Sequence, residues 1–456
     1  MRKPFKNLCA LGLSILLLSA CNPEMDQVNQ VEPEEIAENL SIPAGFDFKT
    51  DQNVNVTIND AEYAKYDVYA YSDQLGETVS EADVLEKLIF SGITKNGALQ
   101  QTINLPKFYN KVYIRRNGES TFSSTSLTIN NQEVTYNNAE YKSTTTSSSQ
   151  KAANDVDTDG DGVLDTDDAY PQDPEKAFNM YTPSEGSSGS IAFEDLWPST
   201  GDYDFNDVAF TYNAKVHLNA DNLAVGFDFT YHITTNNTTG INGIGFEIEG
   251  LAPNQIESVS GQKFSRNFIN VNANGTEANQ ENAVIILTDD VWNLPHNYEY
   301  ISEDTDLITD AGDFEKVTVS VKFTAPIATN DMGIAPFNPF LILNIDTYYT
   351  IFMSESNDPR YPRGLVRDFE AHLPNMKPTT LGLSMKNTKD HASNYIADNG
   401  FPWAIHVMDS FSPPKPGIAI TEAYNNFKAW AESGGTDHKD WYINEVAGNI
   451  NKDSIY

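Results

Sequence analysis

Between Val225 and Ile233 every second residue is apolar: Val225, Phe227, Phe229, Tyr231 and Ile233. Successive side chains of an extended chain point to opposite faces, so a period of two turns one face to a core and the other to water. Ile244, Phe246 and Ile248 repeat the pattern, as do Val317, Val319, Val321 and Phe323. Earlier in the chain, Val54, Val56 and Ile58, then Tyr66, Val68 and Ala70, alternate in the same way. Val284 to Leu287 and Phe340 to Leu343 are unbroken apolar runs, suited to strands covered on both faces. Lys111 to Arg116 reads as a strand and Asn117-Gly118 as a tight hairpin turn. Helical periodicity is confined to two stretches. One is 80–89, where Ser80 and Asp83 precede Val84, Leu85, Leu88 and Ile89 as a capping box. The other is 421–433, with Thr421 as cap, Tyr424, Phe427 and Trp430 on one face, and Gly434 as stop. The expected fold class is therefore all-β: two β-sandwich-like domains joined by an acidic connector, with few short helices.

The N-terminus reads as an address. Arg2, Lys3 and Lys6 precede the apolar run Leu8 to Leu18, which is about half the roughly 20 residues that span a bilayer. Leu18-Ser19-Ala20-Cys21 resembles the bacterial lipobox, which implies cleavage after residue 20 and lipidation of Cys21. Cys9 would leave with the signal, so no disulfide framework is available to the rest of the chain. Asn22 in second place, by resemblance to enterobacterial sorting, implies the outer membrane. Residues 21–40 are acidic, with little to bury, and read as a disordered tether. A β-sandwich is expected at 41–140, a Ser/Thr-rich linker at 141–153, an acidic connector at 154–178, a large β-rich domain at 180–445 and a tail at 446–456.

Charge narrows the partners. With 29 Lys+Arg against 65 Asp+Glu, the net charge of −36 leaves no basic excess for phosphates or anionic lipid. Part of that charge is patterned. In DTDGDGVLDTDD, Asp157, Asp159, Asp161, Gly162, Asp165 and Asp168 fall at positions 1, 3, 5, 6, 9 and 12 of a Ca²⁺ loop, with the Val163 carbonyl at 7. Oxygen ligands at this spacing wrap a hard cation, and glycine at position 6 permits the sharp turn. Position 12 is Asp rather than Glu, and no flanking helices are evident. Asp155, Asp167 and Asp173 remain for a possible second ion. A second cluster, Glu194, Asp195, Asp202, Asp204, Asn206 and Asp207, precedes a strand; if extended, residues 202, 204 and 206 share one face. Asp202, Asp204, Asn206 and Asp207 are the weaker candidate site, against an Asp/Asn-rich turn without an ion.

DVDTDGDGVLDTDDAYPQDP resembles the thrombospondin type 3 repeat, which implies a calcium-wrapped connector; a single copy implies a stiffened hinge. Four blocks over about 180–445, FEDLWPSTGDYDFNDVAFTY, EAHLPNMKPT, GFPWAIHV and AYNNFKAWAESGG followed by DWY, resemble the LruC domain of bacterial surface and outer-membrane proteins. That resemblance implies a surface location and a β-rich structure rather than a defined reaction. The Arg-Glu-Val-His-Leu-Pro run of that family stands here as Phe369-Glu370-Ala371-His372-Leu373-Pro374, without its basic residue.

Enzyme signals are thin. The 7 histidines show no His-x-x-x-His spacing, and there is no Gly-x-Ser-x-Gly elbow or phosphate-binding glycine loop. His372 with Glu370 or Asp368 is one pairing to weigh, against a structural histidine. Asp202/Asp204 is another, as a glycosidase carboxylate pair. Trp197, Trp403, Trp430 and Trp441 suit core packing better than sugar stacking. The expectation is a calcium-binding, lipid-anchored envelope protein without catalysis, binding a glycan, a matrix or a protein partner. A polysaccharide hydrolase with an accessory β-domain and a structural spacer are the alternatives.

Overall fold

The apolar alternations become strands in the computed structural model, which describes residues 39–70, 87–117, 126–141, 156–197, 201–238, 240–295, 314–344, 365–382 and 395–456. The N-terminal strands are β1 (Asp51–Asn59), β2 (Lys65–Ala70), β3 (Leu88–Ile93), β4 (Ala98–Pro106), β5 (Lys111–Arg116), β6 (Ser126–Thr128) and β7 (Glu133–Asn137). After the acidic connector come β8 (Phe178–Thr182), β9 (Gly189–Phe193), β10 (Val208–Leu218), β11 (Ala224–Asn236), β12 (Gly243–Ile248) and β13 (Ile256–Ser260). The last are β14 (Ala283–Thr288), β15 (Val317–Ile327), β16 (Asn338–Ile342), β17 (Glu370–His372) and β18 (Ala404–Val407). The few helices described are short, and none of them is long and apolar enough to cross a membrane. The chain is all-β, as its alternation requires.

Three sheets result. A three-stranded sheet centres on β1, antiparallel to β4 and parallel to β7. The largest runs β13-β15-β11-β10-β8-β3-β2-β5-β6, with β9 paired to both β10 and β18. A four-stranded sheet has the order β14-β12-β16-β17. Phe227, Phe229, Tyr231 and Ile233 are buried along β11, while Asp228 and Thr230 bond across to Ser320 and Thr318 of β15. The two unbroken apolar runs divide by parity. Ile285, Leu287, Leu341 and Leu343 enter the main core, whereas Val284, Ile286, Phe340 and Ile342 form a separate cluster under Phe268 and Ile269. Sheet faces covered on both sides explain why these segments carry no polar alternation.

Of the N-terminal strands, β2, β3, β5 and β6 join the large sheet through one bridge, Phe90↔Met180, between β3 and β8. A side chain reinforces the joint. Asn222, in the left-handed region at φ 59, accepts from Ile93 N at 3.0 Å and donates through Nδ2 to Ile93 O at 2.9 Å. It thereby satisfies the edge of β3 as a neighbouring strand would. Lys95 and Asp221 pair beside it. Val54, Val68, Phe178, Phe227 and Val319 consequently share one apolar core.

Two local expectations change. Residues 71–86, which hold most of the expected helix at 80–89, lie outside the described residues; Leu88 and Ile89 open β3 instead. The expected helix at 421–433 is broken into Ile420–Ala423 and Phe427–Glu432 by an extended Tyr424 at φ −115, ψ 96, and Thr421 does not cap it. Residues 449–451 cause the break: Tyr424 bridges Ile450, Asn425 N donates to Asn449 O, and Asn451 N donates to Ala423 O. Helical hydrogen bonds yield there to a tertiary pairing. Tyr424, Phe427 and Trp430 are still buried, and Gly434 ends the segment at φ 66. Gly118 of the expected hairpin turn lies outside the described residues, and β5 pairs with β6, Tyr113 opposite Ser126.

One polar network is sealed inside the four-stranded sheet. Arg367 grips both oxygens of Glu277, from Nε at 2.5 Å and Nη2 at 2.7 Å, and Nη1 donates to Glu370. Glu370 also accepts from Thr379 N at 2.9 Å and faces His372 Nε2 at 2.9 Å; His372 Nδ1 lies 2.8 Å from Asn338 Oδ1. Burial pushes the Glu370 pKa up, but Arg367, His372 and Thr379 outweigh it and hold it at about 2. Arg367 thus brings a guanidinium to Glu370 from two residues before Phe369.

Two outcomes follow from these contacts. Asn222→Ala should lower the unfolding free energy by about 2 kcal/mol, two hydrogen bonds at about 1 kcal/mol each, in urea titrations; an unmoved midpoint would remove the joint assigned to it. Glu370 contributes stability that is present above its ordinary value of 4.5 and is lost as pH falls from there towards about 2. Arg367→Met should cost about 3–5 kcal/mol and flatten that acid limb, read by urea unfolding across pH 2 to 6.

Candidate metal centre

The acidic connector folds as a string of turns from residue 156 to residue 177. Aspartates favour such turns because a short carboxylate reaches the backbone N–H two residues on. Asp157 accepts from Gly160 N at 2.8 Å and Gly162 N at 3.1 Å, Asp159 from Asp161 N at 3.2 Å, and Asp161 from Val163 N at 2.8 Å. Gly160 and Gly162 stand at φ 81 and 96, where side chains are strained, so the glycine at position 6 is used as its spacing predicts. Val163 is buried in the main core and Tyr63 donates to Gly162 O at 3.0 Å, so the loop is seated on the N-terminal strands.

Carboxylate oxygens of Asp157, Asp159 and Asp161 lie within 4.8 Å of one another. Oδ2 of Asp159 and Oδ2 of Asp161 are buried and have no hydrogen-bond partner. Burial raises the Asp161 pKa, and the neighbouring Asp159 and Asp157 add to it. Burial likewise pushes Asp168 up to about 6, with Asp161, Asp159 and Asp165 contributing, so position 12 feels the same loop. Asp165 is turned to Thr158, accepting from its N and Oγ1 at 2.7 Å each. Of the residues reserved for a second ion, Asp167 bonds Asn117 and Asp173 pairs with Lys176 at 3.2 Å, while Asp155 lies outside the described residues, as does Cys21.

A second carboxylate group forms where β9 ends and β10 begins. Glu194, directly after β9, is fully buried and lies with Asp202 and Asp204, one oxygen from each within 4.8 Å. The segment 202–206 is not extended, as a shared face would require. Tyr203 and Phe205 take φ 58 and 54, and their N–H groups donate to Glu194 at 3.2 and 2.7 Å. This left-handed alternation lets the backbone wrap one carboxylate, and it redirects its neighbours. Asn206 donates through Nδ2 to Pro414 O at 3.0 Å and accepts from Asn237, while Asp207 accepts from Asp195 N at 2.7 Å. Glu194, which its spacing does not single out, therefore takes the place expected of Asn206 and Asp207. A Cβ on Gly201 would stand 2.5 Å from Glu194 Oε2, so the cradle leaves no room for a side chain there. Burial pushes Glu194 and Asp207 well above the carboxylate range and Asp204 to about 7, and the carboxylates of the cluster raise one another further. Asp202 is raised too, first by burial.

Of the remaining candidates, His372, Glu370 and the tryptophans are all buried. His372 and Glu370 are 0% and 1% exposed inside the Arg367 network. Trp430 and Trp441, 5.3 Å apart, belong to an aromatic core with Tyr424 and Phe427, Trp403 lies against Tyr203, and Trp197 against Phe369 and Tyr395.

Residues 222–442 match a family described as a domain of unknown function, DUF4842. This stretch, slightly under half of the chain, contains the Arg367 network and most of the aromatic core; both carboxylate clusters precede it. No curated protein matches the sequence. Among solved structures, the crystal structure of a protein described as a "putative lipoprotein from Bacteroides ovatus" is similar at 15% identity and a TM-score of 0.47, covering 86% of this chain and 98% of that one. Over residues 222–442, then, the chain is similar to the DUF4842 family.

Proposed function

We propose that this chain is a calcium-binding, lipid-anchored protein of the bacterial outer membrane that acts by binding a glycan, a matrix or a protein partner rather than by catalysis. The observation that carries the metal is the 157–161 turn, where three carboxylates converge and two buried oxygens lack a donor. Hard oxygen donors on a turn of this spacing suit Ca²⁺ better than a softer ion. Asp157, Asp159, Asp161 and Asp168 would hold it, with the Val163 carbonyl; Glu194, Asp202 and Asp204 are a second such group. Bound there, the ion supplies the positive charge that the buried carboxylates otherwise lack. The single acidic repeat then acts as a stiffened hinge of thrombospondin type 3 kind, ahead of an LruC-like body. Sealing of Glu370 and His372 away from solvent supports the non-catalytic reading. The lipobox-like Leu18–Cys21 supports the anchor.

Calcium at about 100 times its Kd should add about 2.7 kcal/mol per site. The gain should be larger at pH 8 than at pH 5, because Asp168 and Asp204, at about 6 and about 7, must first release protons. Without metal the sign is the reverse. A carboxyl whose folded pKa lies above its unfolded 3.8 loses stability as pH rises from there through about 7. Calorimetry with Asp157→Asn/Asp161→Asn should show one site fewer; an EDTA-insensitive Tm with no calcium heat would overturn the metal reading. Cys21→Ser should abolish labelled palmitate incorporation and move the protein from the membrane to the soluble fraction, and retention in the membrane would refute the anchor.

A further inference from the structure

A cavity of about 140 Å³ lies where residues 47–53, β4, the turn 334–337, residues 373–376 and β18 meet. That is the size of an engineered cavity, about 150 Å³, that admits one benzene ring. Part of its lining is polar. Asn104, 5% exposed, donates through Nδ2 to Asp51 Oδ2 at 2.6 Å and to Asn53 Oδ1 at 2.8 Å, while its own Oδ1 has no partner. His406 stands next to them, Nδ1 3.5 Å from Asp51 Oδ1 and Nε2 2.8 Å from the Tyr212 hydroxyl. The lining also includes the apolar side chains of Pro336, Leu373, Pro374 and Met376.

Backbone conformation marks the same place. Phe48 and Phe337 both line the cavity, and both sit in the left-handed region, at φ 54 and 64. Bulky residues adopt it at a cost of order 1–3 kcal/mol and persist there only where surrounding structure holds them. Their rings are committed elsewhere, Phe48 to Phe46 and Trp430, Phe337 to Phe227 and Phe246.

Local charges balance. Asp47 faces Lys107 at 3.9 Å, and Asp51 has His406 and Lys49 close by. Burial would raise the Asp51 pKa, but His406, Asn104 and Lys49 hold it at about 2, so it is a carboxylate and an acceptor at any physiological pH. The amide oxygen of Asn104 adds a second acceptor in want of a donor. A ligand that suits this cavity is neutral and combines hydroxyl donors for these acceptors with C–H groups for the apolar lining.

From this arrangement we infer that the cavity takes one neutral sugar ring, with Asp51 and Asn104 accepting from its hydroxyls and the apolar lining meeting its C–H groups. The inference rests on the binding-module reading above and is independent of the metal.

The test uses the processed protein and a panel of neutral hexoses, 6-deoxyhexoses and N-acetylhexosamines, by saturation-transfer NMR and calorimetry, with and without EDTA. At least one sugar should bind saturably in the millimolar range, and affinity should fall by about tenfold or more in Asn104→Ala. Met376→Trp, at the half-buried rim, should block entry equally without touching the polar groups, which covers the case in which Asn104→Ala fails to fold. EDTA should leave binding unchanged. No sugar signal from the wild-type protein, or equal binding by wild type and Met376→Trp, overturns the inference. Retention on a glycan array that survives Met376→Trp overturns the cavity alone and leaves the binding-module reading standing, whereas a wild-type protein with no array signal overturns the cavity and the glycan branch of that reading.

Discussion

The body depends on how one strand is shared. β10 pairs along one edge with β11 and along the other with two strands in succession, β9 at Val208–Tyr212 and β8 at Ala214–Leu218. A strand has only two hydrogen-bonding edges, so dividing one of them lets a single element hold three neighbours. Through β8 the sheet continues to β3 and the N-terminal strands; through β9 it reaches β18 and the aromatic core. The same division sets Glu194, at the end of β9, against residues 202–204 just ahead of β10. Fold and candidate centre thus share one cause.

Charge is the second organising quantity. A net charge of −36 first serves only as an argument against nucleic acid and anionic lipid as partners. The structure then treats its buried acids in opposite ways. Glu277 and Glu370 are met by Arg367, and Glu370 is held at about 2 as a carboxylate. Glu194, Asp202 and Asp204 have one another as neighbours, and burial drives their pKa values up. Desolvation of a carboxylate has a few physical remedies: a cation, a proton or a set of N–H donors. Arg367 is the first remedy; burial, which raises Asp204 to about 7, favours the second; the Tyr203 and Phe205 amides around Glu194 are the third, and calcium would be the first again.

Much of the fold was readable from the chain because parity survives burial. Phe227 to Ile233 and Val317 to Phe323 lie inward as their alternation requires, and the unbroken runs at 284–287 and 340–343 divide between two cores. The turn at 157–163 was readable for a related reason: Asp-to-backbone hydrogen bonds and a glycine at positive φ act over a few residues. The break at Tyr424 was not, since its hydrogen bonds come from residues 449–451. Nor was the left-handed alternation at Tyr203 and Phe205, which an aromatic pair gives no reason to expect. It exists because Glu194 needs donors, and Glu194 comes from another strand.

By itself, then, the sequence determined the all-β class, the inward faces and the acidic turn, because each is set by the period of the backbone or by contacts a few residues long. Only the tertiary structure decided that β2, β3, β5 and β6 share one sheet with β8 and β10, that Glu194 joins Asp202 and Asp204, and that Asp51, Asn104 and His406 line one cavity. Those outcomes depend on strand edges finding partners far along the chain, and an edge, unlike a face, leaves no periodic mark in the sequence.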